Sequence, residues 1–299
     1  MNSDVDALRA TRRGMLTALI ATGLTLLALV GYSHLGANVM PNGTAIELHI
    51  GEKGESFVHR IPALAVDRQP AGLNFYTFRW SVHSMGAVII KHGTLQLPIE
   101  NVISVTSTED MDYIDEGISE IAINSAITHS EKILHDEARV KTFAFLQGIV
   151  RKGWKVTIPR SMARIRGKDM NNYMLEDGKA TTLDPSYIPT LSEWMRYEDL
   201  TTWEFYFDRA FLTVQISREH TLTDPTKPGV YLLSTRLQNE PQHFRGYVDG
   251  FDRPRWRELL LPKITELAES RVKREAAFRI RGIPIDDKYV DPPVPNLSK

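Results

Sequence analysis

Cysteine does not occur anywhere in the 299 residues, which excludes disulfides, thiolate metal ligands and lipidation of an N-terminal or juxtamembrane cysteine. An excess of charge of one sign is missing too. The 36 basic residues stand against 37 acidic ones, so no global field draws in nucleic acid. There is no G-x-S-x-G nucleophile elbow, no phosphate-binding P-loop and no dinucleotide glycine pattern. The nine histidines are scattered, and none form the H-E-x-x-H or H-x-x-x-H spacing that places two imidazoles on one helix face. His83 and Ser84 beside Gly86 make no nucleophilic pair, because adjacent strand residues face opposite ways. No catalytic residue, cofactor or metal is therefore expected from the sequence.

What the chain does have is one uninterrupted apolar run, Gly14 to Tyr32, preceded by Arg12 and Arg13 and followed by no Lys or Arg until Lys53. At the helical rise of about 1.5 Å per residue such a run reaches about 28 Å, the thickness of a bilayer hydrocarbon core. The basic flank predicts a cytoplasmic N-terminus and a translocated C-terminal part, with residues 14–32 as the lipid contact. Its length exceeds that of a signal-peptide core, and Gly31-Tyr32-Ser33 is a poor cleavage match, so an uncleaved signal anchor is expected. Thr11 to Leu16 also fits a twin-arginine export pattern, although a basic pair before a membrane helix is what topology demands anyway. These features together predict a single-pass bacterial inner-membrane protein facing the periplasm. Asn42-Gly43-Thr44 and Asn296-Leu297-Ser298 would be glycosylation sequons only in a eukaryotic secretory route.

About 255 residues remain outside the membrane, enough for a sizeable core without disulfides. Residues 33–43 read as a tether. Residues 44–153 read as a β-rich unit ending in a helix. Period-two alternation marks strands at Ala45 to Ile50 and at Asn74 to Val82, where Tyr76, Phe78, Trp80 and Val82 share a side. Shorter strands follow at Ala87 to Ile90, Thr94 to Leu97 and Val102 to Val105, with turns at His92-Gly93 and at Pro98. Thr128 and Glu131 form a capping-box pattern ahead of an apolar stripe from Ile133 to Val150, ended by Arg151, Lys152 and Gly153.

Residues 154–283 read as a second α+β unit. Trp203, Phe205 and Phe207, then Leu212, Val214 and Ile216, predict a hairpin turning near Asp208-Arg209-Ala210. A third strand is expected at Val230 to Leu237, and a helix from Asp252 to Ala276 that Pro262 kinks or divides. Residues 284–299 form a Pro-rich tail. The expected class is α+β, an N-terminal membrane helix followed by an antiparallel sheet with packed helices, the two β-then-α units hinting at internal duplication.

Two charge clusters are candidate surfaces. Glu109, Asp110, Asp112, Asp115 and Glu116 resemble no EF-hand loop, so a solvated acidic loop is the expectation over a Ca²⁺ site. Arg151, Lys152, Lys155, Arg160, Arg164, Arg166 and Lys168 form a basic strip that could meet anionic lipid, phosphate or an acidic partner, but the favoured expectation is that it pairs with the acidic segment at 109–120 within the fold. Asp286, Asp287, Tyr289 and Asp291 form a polar group in the tail. The leading expectation is a non-enzymatic periplasmic interaction module with a protein partner, serving envelope assembly, secretion or toxin immunity. The competing one is an anchored hydrolase whose site gathers distant Asp, Glu and His residues, and a cleft of such groups with shifted pKa values would favour it.

Overall fold

Alternating apolar residues need a sheet with one buried face, and they obtain it from a ten-stranded mixed sheet, mostly antiparallel. The structure, a computed structural model, describes residues 39–41, 45–61, 63–177 and 182–297. The apolar run 14–32, Arg12, Arg13 and the first sequon lie outside the described residues, as does Ser298 of the second. Among the described residues no helix is long and apolar enough to cross a membrane.

The strands are β1 (Ala45–His49), β2 (Ala65–Arg68), β3 (Leu73–Arg79), β4 (Gly86–His92), β5 (Leu95–Asp110), β6 (Ile118–Ala126), β7 (Ile133–Leu134), β8 (Lys155–Val156), β9 (Thr201–Phe207), β10 (Ala210–Arg218), β11 (Pro228–Gly229) and β12 (Tyr231–Asn239). The main path runs β1-β4-β5-β6-β12-β10-β9-β8, and β2 joins through β3. Strand β5 has β4 along its first half and β3 along its second on one edge, with β6 on the other. The expected all-antiparallel sheet is corrected at one end, because β1 lies parallel to β4. Strands on either side of residue 153 meet through the antiparallel β6–β12 pair.

One face of the sheet is apolar. In register across it lie Phe78, Val105, Ile123, Thr235, Val214 and Trp203, all nearly inaccessible to solvent. Helix α1 (Gly54–Arg60) buries Phe57 here, and α2 (His135–Arg151) lays Ala138, Phe143, Leu146 and Ile149 on the same core. Phe143 meets Trp203 edge-on, ring centroids 5.8 Å apart. Helices α3 (Gly167–Asp177) and α4 (Leu191–Trp194) complete this side, the second through a capping box between Thr190 and Glu193.

The opposite face alternates polar residues and carries a smaller cluster of Phe211, Phe244, Val248, Trp256 and Leu260. These come from β10, from α5 (Glu240–Arg245) and from the start of α6 (Trp256–Ile280). Val294 and Leu297 of the tail pack against the same cluster.

Several expectations need correction. The helix foreseen from Thr128 begins only at His135, because Ile133 and Leu134 pair with Pro228 and Gly229 first; the Thr128 hydroxyl instead donates to the Ser130 carbonyl. Pro98 makes no turn but lies inside β5. Proline is tolerated where its missing N–H has no ladder partner, and β6 begins its pairing with β5 only at Val102. Val82 falls beyond the end of β3 and is exposed. A single helix runs through Pro262 from Trp256 to Ile280, so the proline does not divide it. The hairpin turn at Asp208-Arg209 stands as read, with φ of 41° and 66° at its two central residues, the signature of a type I′ turn.

Gly117 links the acidic segment to β6 at φ 63°, ψ −143°. A Cβ there would stand 2.6 Å from the carbonyl oxygens of both Gly51 and Glu52. Gly117→Ala is expected to destabilise the protein by about 2 kcal/mol or more. Gly148→Ala, whose Cβ would meet only the Arg151 side chain at 3.7 Å, is expected to stabilise it by about 0.5–1 kcal/mol. Paired urea melts of the two variants check both signs.

Candidate functional site

The basic strip is brought against the chain's own C-terminal carboxylates and not against the acidic segment. Arg164 makes a bidentate pair with Glu275 of α6 at 2.7 and 2.8 Å and lies 3.4 Å from Asp287. Arg166 bonds Asp286 at 2.8 Å. Arg160 faces Asp291 at 3.6 Å and lies over the Phe244 ring. Buried Arg271 of α6 ties this region together, bonding Asp291 at 2.6 and 3.0 Å and donating to the carbonyls of Met162, Ile158 and Pro159. The Tyr289 hydroxyl accepts from the Ile158 N–H at 2.9 Å. Lys168, on α3, is exposed.

Glu275 is 3% exposed at its side chain, and Arg164 holds its carboxyl below the usual carboxylate range, against the opposing effect of burial. Removing one partner of such a pair leaves the other buried and unpaired. Arg164→Met is therefore expected to cost about 3 kcal/mol in an equilibrium denaturation measurement.

The acidic cluster is dispersed, and among the described residues no His, Asp and Glu groups are placed to hold a metal ion. Glu109 is buried, accepting from the Gly54 N–H, the Tyr76 hydroxyl at 2.7 Å and Asn74. Asp110 caps the 3-10 turn Met111–Glu116, accepting from the Asp112 N–H. Glu116 is clamped by both guanidinium nitrogens of Arg245, at 2.6 and 2.8 Å. Asp112 and Asp115 remain exposed.

The same turn adjoins a second one, Gly250–Arg255. The Tyr113 hydroxyl donates to the Arg253 carbonyl at 3.3 Å, and Arg245 stacks 3.9 Å from the Tyr113 ring centre. These two turns present Met111 at 46%, Ile114 at 41% and Phe251 at 69% exposure. Asp112, Asp115 and Asp249 stand exposed on them and beside them.

A further group was not singled out by sequence reasoning. On the polar face of the sheet, Thr213 pairs in register with Glu204 on one side and Arg236 on the other. Both charged side chains are half-buried, and neither forms a hydrogen bond or an ion pair within 4 Å to any described residue. His243 of α5 lies flat on Phe211, ring centroids 3.5 Å apart. Its ring nitrogens have no hydrogen-bond partner among the described residues. The Tyr247 ring stands edge-on to His243, centroids 5.5 Å apart.

The electrostatics follow from enclosure. Burial pushes the Glu204 carboxyl up to about 7, with the Arg236 charge working against it. Burial, then the charges of Arg160 and Arg236, push His243 down to about 3. Burial raises Tyr247 to about 12, and both Arg160 and Glu204 act on it. The signal available in the sequence was Glu204 itself, opposed to Trp203 and Phe205 on a hairpin whose other outward residues, Tyr206, Thr213 and Gln215, carry no charge. Elsewhere, Trp194, Tyr197, Glu198, Arg218 and Tyr231 line a small crevice.

No family model, curated protein or solved structure matches this chain.

Glu204 binds its proton more tightly folded than unfolded. Its contribution to stability is complete below pH 4.5 and is lost as the pH rises through about 7. His243 acts with the opposite sign, its contribution being lost as the pH falls from 6.5 through about 3. Glu204→Gln is expected to gain stability over the wild type at pH 8 relative to pH 4, by on the order of 2 kcal/mol, in urea melts at the two values.

Proposed function

We propose that this chain is a protein-binding module that engages its partner through the turns carrying Met111, Ile114 and Phe251. The observation that carries the reading is Phe251 itself, a large aromatic side chain 69% exposed on a turn braced by Tyr113 and Arg245. Exposed aromatic anchors on rigid supports are what interface hot spots require. The exposed charge around it is mixed, Asp112, Asp115 and Asp249 standing with Lys53, which donates to the Ile114 and Asp115 carbonyls, and with Arg255 and Arg257, so the apolar and aromatic side chains carry the recognition. In this reading residues 14–32 anchor the protein in a bacterial inner membrane with the domain in the periplasm. The partner is then a component of envelope assembly or secretion, or a toxin that the module blocks.

A second reading, an anchored periplasmic hydrolase, draws on the convergence of Glu204, His243 and Asp291 near Tyr247 and Arg160. A carboxyl titrating near neutrality suits a general base, whereas an imidazole held neutral down to about pH 3 is a weak one. The binding reading is preferred because its contact residues are already presented to solvent.

Photocrosslinkers placed at Phe251 and Ile114 of the full chain, in its native membrane, are expected to give discrete adducts. The same groups at Ile188 and Val290, which are exposed on other segments, are expected to give none. Phe251→Asp should leave stability within about 0.5 kcal/mol and weaken association with the crosslinked partner by about thirtyfold or more. Equal adducts at all four positions, or none at any, would overturn the reading.

A further inference from the structure

Of the histidines among the described residues, only His135 is fully buried, at 1% exposure. It opens α2 and is enclosed by three other elements. Its Nδ1 lies 2.5 Å from the Tyr231 hydroxyl of β12, and that hydroxyl accepts from the Trp194 indole N–H of α4 at 3.1 Å. An indole N–H only donates, so the hydroxyl's own proton goes to His135 and Nδ1 is the acceptor. The ring proton therefore stands on Nε2, which is buried and makes no hydrogen bond to any described residue. Gly229 of β11 lies directly against the ring. A Cβ there would come within 2.5 Å of Cε1 and 3.4 Å of Nε2.

Little fastens β11 in that position. Its pairing with β7 is two residues long, Ile133 with Gly229 and Leu134 with Pro228, and forms a small sheet of its own. Residues 220–228 ahead of it are exposed except Leu222. The hydrogen bonds of Leu222, Thr226 and Lys227 stay within this loop, to Glu219 and Asp224. At the loop's start His220 faces Asp199 at 2.7 Å, an ion pair only when its ring is protonated, so acid does not loosen that end.

A second proton on His135 upsets the buried bonds. Nδ1 becomes a donor, the Tyr231 hydroxyl then has to accept from both His135 and Trp194, and its own proton loses its acceptor. The charges acting on the ring oppose one another: Arg218 at the end of β10 disfavours the proton, and Asp224 favours it through its backbone and its charge. Asp224 is itself paired with Lys227, and Asp136 and Glu137, next on α2, are paired with Arg139 and Lys141. Burial, then the Arg218 charge, hold the imidazole below histidine's ordinary 6.5. Such a group contributes stability that is whole above pH 6.5 and is lost as the pH falls below it. Lifting β11 is the movement that brings water to the ring and relieves the buried charge.

We propose that His135 makes the β7–β11 pair an acid-released clasp: protonation of the buried ring lifts β11 and frees residues 221–229 while the large sheet stays closed. The clasp is separate from the exposed turns assigned to partner binding, so either assignment stands or fails alone.

The test is hydrogen exchange of the full chain in detergent micelles at pH 7.5 and 5.0, corrected for the intrinsic pH dependence of amide exchange. Peptides covering 131–137 and 226–231 are expected to lose about tenfold in protection at pH 5.0, while β3 and β6 keep theirs. In His135→Asn, whose side-chain oxygen replaces Nδ1 as an acceptor and takes up no proton, the loss should vanish. In His129→Gln and His220→Gln it should remain. A nuclear magnetic resonance titration of the wild-type ring reports even where His135→Asn fails to fold, and is expected to place the His135 midpoint below 6.5. Unchanged protection in the wild type, an equal loss in His135→Asn, a loss spread evenly over the sheet, or a ring titrating at or above 6.5 would each overturn the proposal.

Discussion

The register between β6 and β12 is the constraint on which the rest of this molecule depends. It pairs Ile121 with Leu237 and Ile123 with Thr235, and so joins strands formed early and late in the chain into one sheet. Because side chains alternate with period two, that register sends Tyr231, Leu233, Thr235 and Leu237 to the apolar core and Leu232, Ser234, Arg236 and Gln238 to the other face. A slip by one residue would place Arg236 against Trp203 and Val214. The cost of burying that charge holds the pairing to one solution.

The second face is stabilised differently. Its rows are joined by side-chain bonds, from Asn124 to Ser104 at 3.2 Å, from Ser234 to Asn124 at 2.8 Å and from Gln238 to Glu120 at 2.8 Å. Cross-strand pairs of this kind contribute roughly 0.2–1 kcal/mol each. The row holding Glu204 and Arg236 departs from that pattern, and it lies where α5 and the tail roof the sheet.

The C-terminal tail acts as a strap. Pro284 to Leu297 carries Asp286, Asp287 and Asp291 across to Arg166, Arg164, Arg160 and Arg271, while Val294 and Leu297 close the small apolar cluster. The strip of positive charge between Arg160 and Arg166 is thereby committed to internal partners. The acidic segment is spent on capping, on the Arg245 pair and on the exposed rim near Phe251. Two clusters of opposite sign, each conspicuous as a run of letters, thus have different partners and different uses.

Sequence alone determined the strands of the Trp203 to Ile216 hairpin, the place of its turn, the alternation at Tyr76 to Trp80, the existence of α2 and the α+β class, but not the buried stripe of α2, where Val140 and Val150 are exposed and Phe143 is buried. Each of these rests on local periodicity and turn chemistry, which short segments carry by themselves. It could not decide that Pro98 lies in a continuous strand, because that depends on where β6 stops. Nor could it decide that His135 starts α2, because Gly229 must first pair with Ile133. The partners of Arg160, Arg164 and Arg166 lie more than a hundred residues away in Glu275, Asp286 and Asp291, and no local pattern encodes a contact of that separation. The row of Glu204, Thr213 and Arg236 is of the same kind. Alternation placed each residue on a face, but only the packed sheet set them side by side, since neighbours across strands are chosen by register and not by proximity in the chain.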